Sequence, residues 1–216
     1  MIYAENILLC IAIPLLIVLF FLHGKTRLFA GSFLVSMCMC LVAAYVSGFI
    51  SLISDMSVED VQIFVSPVIE EIMKLLPILF YLVLFEPEDE NIFLAGLGVG
   101  AGFATFENCC YILASGAESL PYIMIRGMAV GVMHIVSVIV LTIGVIMARR
   151  FNALTVAGVL GAISLSMTFH GLYNLLVSEP GFSSYIGYVL PILTAIVLYL
   201  IVGRIRSRDK AIKLKA

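Results

Sequence analysis

The stretch that decides the fold class reads SPVIEEIMKLLP and covers Ser66–Pro77. It places Glu70, Glu71 and Lys74 inside an otherwise apolar segment. A charge at mid-bilayer depth is costly, so residues of this kind usually face a polar interior and serve a function. The next three apolar segments along the chain each carry a further ionisable residue, namely Glu107, His134 and His170. This pattern predicts an all-α, polytopic membrane protein with a polar site inside its helix bundle.

The composition around this stretch is typical of a membrane protein, with 62% hydrophobic residues, 12% charged residues and a mean hydropathy of +1.17. A helix needs about 20 residues to cross the hydrocarbon layer. Seven segments reach this length, near residues 4–22, 28–53, 62–85, 92–114, 120–148, 153–177 and 184–203. The sequence therefore predicts one transmembrane helical domain over 1–203, with its site among spans three to six (62–177), and a basic cytoplasmic tail over 204–216.

The basic residues predict the orientation. Of the 12 Lys and Arg residues, all but Lys74 and Arg126 fall in connections or tails that seven crossings place on one side. By the positive-inside rule, the C-terminus is cytoplasmic and the N-terminus is outside. Acidic residues at 86–90 share the cytoplasmic side, but they contribute little to orientation. The first segment has no basic stretch before it and no clear cleavage site, so we interpret it as a retained anchor.

Several functional classes receive no support from the sequence. The five cysteines all lie in predicted spans, which favours reduced, packed thiols. Cys38 and Cys40 have no Cys or His spaced nearby as a metal partner. There is no nucleotide-binding loop and no basic surface for nucleic acid. The expected partners are the lipid bilayer, including anionic headgroups near the tail, and a membrane-anchored protein.

Lys74 lies four residues after Glu70 and three after Glu71, so it can pair with either carboxylate. A charge pair that only helps the helices to pack is one interpretation. It leaves the second carboxylate uncompensated, and a buried carboxylate of that kind suits a general acid or base. We assign Glu71 as the water-activating base and expect Lys74 to steady Glu70.

The later spans add polar groups at matching depth. Four glycines at 96–102 precede Glu107, and small residues let transmembrane helices approach closely. His134 is equally compatible with a hydrogen-bonded packing role, whereas His170 shares a helix face with Asn174. At about 1.5 Å per residue, the glutamates and His170 lie roughly 12 Å from the predicted outer ends, and His134 about 20 Å. A water-accessible pocket that opens outward is the simplest interpretation.

These groups allow hydrolysis by two routes. A glutamate can take a proton from water directly. Alternatively, Glu71, His134 and His170 can hold a divalent metal such as zinc, which acidifies the water. Asn174 can stabilise a developing oxyanion, and Lys74 can hold a glutamate in its charged form. The chain has no helix motif with two histidines four residues apart around a glutamate, so both routes stay open.

Together, the motifs resemble those of the PrsW family of intramembrane proteases. They are Glu70-Glu71-x-x-Lys74, Phe103-x-x-x-Glu107-Asn108, the lone His134 and His170-x-x-x-Asn174. The resemblance implies hydrolysis of a peptide bond in a membrane-anchored protein, such as an anti-sigma factor, near the extracytoplasmic face. It also places Glu70, Glu71, Glu107, His134 and His170 in the site. The related CAAX proteases have their basic residue one place later and a histidine at the Glu107 position, so a prenylated cytoplasmic substrate is not expected.

Three other functional classes are alternatives to a protease. A proton- or ion-coupled transporter also uses intramembrane Glu and His residues, but the two halves of the chain show no inverted repeat. A retinal-type sensor needs a lysine in the last span, and 190–203 contains none. A non-catalytic scaffold is the remaining alternative. We favour an intramembrane endopeptidase.

Overall fold

The computed structural model describes residues 4–115, 119–150 and 155–213. Within these ranges the chain forms seven long helices. They are α1 (Ala4–Leu19), α2 (Gly24–Ile53), α3 (Ser66–Phe85), α4 (Asp89–Ser115), α5 (Leu120–Arg150), α6 (Thr155–Ser178) and α7 (Phe182–Lys213). Each helix overlaps one of the segments predicted from hydropathy. The protein is therefore all-α, as the sequence indicates.

Five of the helices are long and apolar enough to cross a membrane, and these are α2, α4, α5, α6 and α7. Two others differ from this group for separate reasons. Helix α1 has only 16 residues. Helix α3 has 20 mostly apolar residues, but three of them, Glu70, Glu71 and Lys74, are charged. Helix α3 is thus set apart from the other long helices by its charges and not by a lack of apolar residues.

Two short helical pieces lead into α3. A single turn at Val58–Asp60 is capped by Ser57, whose hydroxyl accepts a hydrogen bond of 3.0 Å from the Asp60 amide. A π-helical turn at Val61–Val65 follows, and α3 then begins with Ser66 and Pro67. Proline is favoured at this position because the first helical amides have no partner inside the helix. Helix α3 continues through Pro77 and ends at Phe85, and the next residue, Glu86, adopts a left-handed conformation.

Helices α2, α4 and α5 pack closely because α4 presents glycines to both neighbours. A Cβ atom on Gly98 would lie 2.6 Å from the backbone oxygen of Phe29, and one on Gly102 would collide with the backbone oxygen of Phe33. On the other side of α4, a Cβ on Gly100 would lie 3.2 Å from Cα of Ile135. The expectation that these glycines permit close packing is confirmed.

Buried hydroxyl groups add contacts between helices. Ser36 on α2 donates a hydrogen bond of 2.6 Å to the backbone oxygen of Val99 on α4. Ser166 on α6 donates one of 3.0 Å to the backbone oxygen of Ser137 on α5. In hydrocarbon, such bonds stabilise helix association because the hydroxyl has no water to replace its partner. These hydrogen bonds tie α2 to α4 and α5 to α6.

One end of the bundle gathers acidic and basic side chains. Lys25 pairs with Glu90 at 2.7 Å, and Arg150 pairs with Asp89 at 2.6 Å. Arg149 donates a hydrogen bond to the backbone oxygen of Pro87. The acidic turn at 86–90 therefore lies beside the basic residues that the sequence assigns to the same side. The side chains of the basic tail from 205 onward lie outside the described residues.

Candidate active site

Four helices bring the predicted ionisable residues together in the interior of the bundle. Helix α3 supplies Glu70, Glu71 and Lys74, while α4, α5 and α6 supply Glu107, His134 and His170, respectively. Glu71, Lys74 and His134 are fully buried, and His170 is 2% exposed. The rings of His134 and His170 meet edge to face with their centroids 5.1 Å apart. The convergence of these residues inferred from depth is present in the structure.

Lys74 pairs with Glu71 and not with Glu70, which corrects the pairing assigned from sequence. Its Nζ lies 2.6 Å from Oε1 of Glu71, and the pair is completely buried. The same oxygen lies 2.8 Å from Nδ1 of His170. Neighbouring residues on a helix point about 100° apart, so turning Glu71 and Lys74 into the core directs Glu70 elsewhere. Spacing alone allowed either pairing, and the packing of α3 selects one.

His134 contacts the carboxylate of the neighbouring helix. Its Nε2 lies 2.5 Å from Oε2 of Glu107, whose side chain is 30% exposed. The other oxygen of Glu107 lies 3.9 Å from Nη2 of Arg126. Both partners of Glu107 therefore belong to the neighbouring helix α5.

Three side chains form a group with the spacing of a metal site. One ligand atom from each of Glu70, His134 and His170 lies within 4.8 Å of the ligand atoms of the other two. Glu71, which the sequence placed in this set, is replaced by Glu70. Oε1 of Glu71 is engaged by Lys74 and His170, and its Oε2, although it has no partner, belongs to a residue that does not line the pocket.

The atoms at the centre of this group lack partners among the described residues. Oε2 of Glu70 and Nδ1 of His134 are buried without a hydrogen bond. Nε2 of His170 lies 3.7 Å from Oε2 of Glu70, too far for a hydrogen bond. Two imidazoles and one carboxylate form a donor set that suits zinc, with a fourth position left for water or substrate. The residues present therefore fit a catalytic metal.

The carboxylates behind the histidines fit the same interpretation. Histidines that bind a metal usually donate their second ring N–H to a carboxylate or carbonyl, which fixes the ring and its tautomer. Glu71 accepts from Nδ1 of His170, and Glu107 accepts from Nε2 of His134. In each ring, the nitrogen that remains is the one available to the central group.

A cavity of about 560 Å³ reaches Glu70, whereas His134 and His170 do not line it. It is lined in part by Glu70, Glu107, Tyr111, Arg126, Asn174 and Tyr188, and it extends to Glu59 and Ser178 near the ends of the surrounding helices. Glu71 and Lys74 do not line it. A larger cavity of about 960 Å³ between α5 and α7 has an apolar lining and contains none of the predicted site residues. The smaller cavity is therefore the candidate substrate pocket.

Asn174 lines the pocket, but its amide also has a structural contact. Its Nδ2 donates a hydrogen bond of 2.9 Å to the backbone oxygen of Gln62 in the π-helical turn. This contact ties α6 to the segment that leads into α3. The oxyanion role assigned to Asn174 stays a prediction, since Nδ2 carries a second hydrogen that this contact does not use.

The sequence reasoning missed Arg126 as part of the site. Its guanidinium borders the pocket, donates to Oδ1 of Asn108 at 2.9 Å and lies over the ring of Tyr111 at 3.2 Å. A signal existed, because an arginine inside a span is itself a candidate functional residue. It lies eight residues before His134, which corresponds to about two helical turns.

A bundle of apolar helices around a buried glutamate–histidine group is consistent with the active site of an intramembrane hydrolase. The family model described as "PrsW family intramembrane metalloprotease" matches residues 24–202 of this chain. The chain belongs to this family, and it is a multi-pass membrane protein. No curated protein and no solved structure matches it.

Proposed function

We propose that this protein is an intramembrane endopeptidase that cleaves a membrane-anchored protein substrate. The observation that carries the proposal is the group formed by Glu70, His134 and His170, whose unpartnered atoms meet beside a pocket open to one end of the bundle. Family membership supports peptide-bond hydrolysis as the reaction. The structure supports Glu70, in place of Glu71, as the carboxylate that acts on water.

The residues that would hold a metal are Glu70, His134 and His170. When bound there, the metal would acidify a water molecule and polarise the peptide carbonyl. In a route without a metal, Oε2 of Glu70 would instead be free to accept a proton from the attacking water and to return it to the leaving amine. Glu71 and Glu107 hold the two imidazole rings in place.

We propose the same orientation that the sequence predicts, with all seven helices in the membrane, the N-terminus outside and the C-terminus cytoplasmic. The ion pairs of Lys25 and Arg150 with the 86–90 turn support one basic end of the bundle. The pocket extends toward the opposite end, where Glu59 and Ser178 lie. In this orientation the substrate is cut near the extracytoplasmic face, as an anti-sigma factor would be.

The domain organisation in this proposal is simple. Residues 1–203 form one transmembrane domain with the site among spans three to six, and residues 204–216 form a basic tail that contacts anionic headgroups on the cytoplasmic side. Helical backbone continues through the proposed boundary as far as Lys213. The tail is thus set apart by its charge and not by a break in the helix.

The test compares new protein N-termini in membranes from cells that express the wild-type chain or its Glu70→Gln variant at equal levels. Termini that depend on Glu70, located near the outer ends of transmembrane segments, are the expected result and identify the substrates. Glu179→Gln is the matched control, because this exposed carboxylate lies outside the site. Identical termini in wild type and Glu70→Gln would contradict the proposal, and solute uptake by proteoliposomes that depends on Glu70 would favour a transporter.

A further inference from the structure

The side chain of Arg126 is held by contacts with several neighbouring side chains. Its side chain is only 15% exposed, although it lies beside the pocket. Nη1 donates to Oδ1 of Asn108, and the guanidinium lies over the ring of Tyr111. Asn108 is itself anchored, because its Nδ2 donates a hydrogen bond of 3.2 Å to the backbone oxygen of Gly127. These contacts aim Nη2 at Glu107.

The contacts of Arg126 require a planar guanidinium. Arginine presents several N–H donors in a rigid fork and stacks on aromatic rings, whereas lysine carries a compact point charge. One nitrogen of the Arg126 fork contacts Asn108 while the other faces Glu107. A lysine would retain the charge. It would not place separate donors toward Asn108 and Glu107, and it would not stack on the ring of Tyr111.

The two halves of the site follow the same order of groups. On one side, Lys74 contacts Glu71, and Glu71 contacts His170. On the other side, Arg126 faces Glu107, and Glu107 contacts His134. Each series begins with a cation, continues through a carboxylate and ends at a histidine that borders Glu70.

We propose that Arg126 is a positioning residue that acts through Glu107 to fix the ring of His134, as Lys74 does through Glu71 for His170. The hydrogen bond from Nε2 of His134 to Glu107 leaves Nδ1 with its lone pair directed to the central group. Without Arg126, Oε1 of Glu107 has no cation to hold the carboxylate, so the carboxylate can turn toward the pocket and release the ring. The part of this proposal that concerns metal binding rests on the proposed function.

The test is a double-mutant cycle between Arg126→Met and Glu107→Gln in the purified full-length protein. Zinc affinity is measured by competition with a chelator, and kcat and KM are measured with a cleavable membrane peptide. Loss of a residue that orients a metal ligand typically costs about 10–100-fold in affinity or activity. We expect Arg126→Met to lower zinc affinity and kcat in this range, with KM little changed, and to add nothing further in the Glu107→Gln background. Arg126→Lys should restore part of the zinc affinity and kcat lost in Arg126→Met. The control is Arg150→Met, which removes a cation far from the site.

A second measurement does not depend on proteolysis or on zinc. The chain has three histidines, so ¹⁵N spectra of the metal-free protein can be assigned by single substitutions. In the wild type, we expect the proton of His134 on Nε2, and Arg126→Met should redistribute it between the two nitrogens. A protein that neither binds zinc nor cleaves peptides would overturn the proposed function, while this spectrum would still decide the role of Arg126.

Two results would overturn the inference. Equal losses from Arg126→Met in the wild-type and Glu107→Gln backgrounds would mean that Arg126 acts independently of Glu107. A raised KM with unchanged zinc affinity and an unchanged His134 spectrum would mean that the guanidinium contacts the substrate. Thermal unfolding of each variant in detergent, compared with Arg126→Lys, separates these outcomes from a loss of fold.

Discussion

Three glutamates in one site differ because their surroundings differ. Glu71 is fully buried and engaged by Lys74 and His170. Glu107 is 30% exposed but has a partner near each oxygen. Glu70 is 16% exposed, and its Oε2 has no hydrogen-bond partner among the described residues. Only Glu70 therefore combines access to the pocket with a free oxygen.

This difference predicts opposite effects for two adjacent isosteric substitutions. Glu70→Gln should abolish cleavage and leave the thermal unfolding temperature close to that of the wild type, because Oε2 of Glu70 makes no hydrogen bond that the substitution would remove. Glu71→Gln leaves Lys74 buried without its counter-charge, and breaking a buried pair in this way costs about 3–5 kcal/mol. Cleavage rates and thermal unfolding in the same detergent check both effects. A stable Glu71→Gln protein with no activity, beside an active Glu70→Gln protein, would restore the assignment of Glu71 as the base.

The buried pair itself can be tested with a second cycle. Lys74→Met alone should destabilise the protein by a similar amount, about 3–5 kcal/mol, because Glu71 is left as an uncompensated buried charge. Combining it with Glu71→Gln removes both charges, so the double variant should be more stable than the sum of the single effects predicts. The free energy of unfolding measured by denaturant titration in mixed micelles gives the three values. Strict additivity would show that the contact of 2.6 Å carries no coupling energy.

Sequence reasoning indicated which residues converge but not how they pair. Ionisable residues inside spans are rare enough to be found by inspection, which gave Glu70, Glu71, Glu107, His134 and His170. Which glutamate meets Lys74 depends on the rotation of α3 about its axis, and spacings of three and four residues both allow contact. The rotation is set by packing against α2, α4 and α6, which no local pattern encodes.

At the level of helices, the glycines of α4 place its carboxylate within reach of α5. Glu107 lies five residues after Gly102. At Gly102, the backbone of α2 is so close that a larger residue would collide with it. Phe103 on α4 contacts His134, with ring centroids 5.2 Å apart. If α2 and α4 moved apart, we expect this contact to loosen. The geometry of the site thus depends on a helix contact outside it.

We therefore expect Gly102→Ala to destabilise the protein and to lower activity as well. The added Cβ would collide with the backbone oxygen of Phe33, and backbone cannot rotate away as a side chain does. Overpacking of this kind typically costs about 1–3 kcal/mol. Gly31→Ala is the matched control, since its Cβ would meet no atom within 4 Å. Equal unfolding temperatures for the two variants would contradict the close packing of α2 and α4.

Hydropathy predicted the positions of the helices well, with one larger difference. The last predicted span, 184–203, covers the apolar part of α7, but the helix continues to Lys213. Hydropathy reports where a segment is apolar, whereas a helix ends where its backbone hydrogen bonds end, and charged residues such as Lys and Arg are good helix formers. Helix α3 presents the reverse case, because its charges weaken the membrane signal of a segment that is helical throughout.

At the scale of the whole molecule, helix α3 depends on the other helices of the bundle for its place in the membrane. Helix α3 buries Glu71 and Lys74 against each other, so the bilayer never meets these charges. Its other face carries exposed apolar residues at intervals of four, including Val68, Ile72, Leu76 and Phe80. A helix with a charged inner face and an apolar outer face is suited to a membrane only when partner helices cover the charges.

The orientation of the bundle decides on which side a substrate is cut, and impermeant thiol labelling tests it. A background in which the five native cysteines are replaced by alanine receives one cysteine, at Glu179 or at Glu88. Glu179 adjoins Ser178 at the pocket end, whereas Glu88 lies in the turn beside the paired basic residues. We expect Glu179→Cys to react in intact cells and Glu88→Cys only in inverted vesicles, with the cysteine-free protein as the control for background. The reverse pattern would turn the pocket toward the cytoplasm, and the proposed cleavage would then have to occur on that side. Labelling of both positions from one side would contradict an odd number of crossings between them, since α4, α5 and α6 separate Glu88 from Glu179.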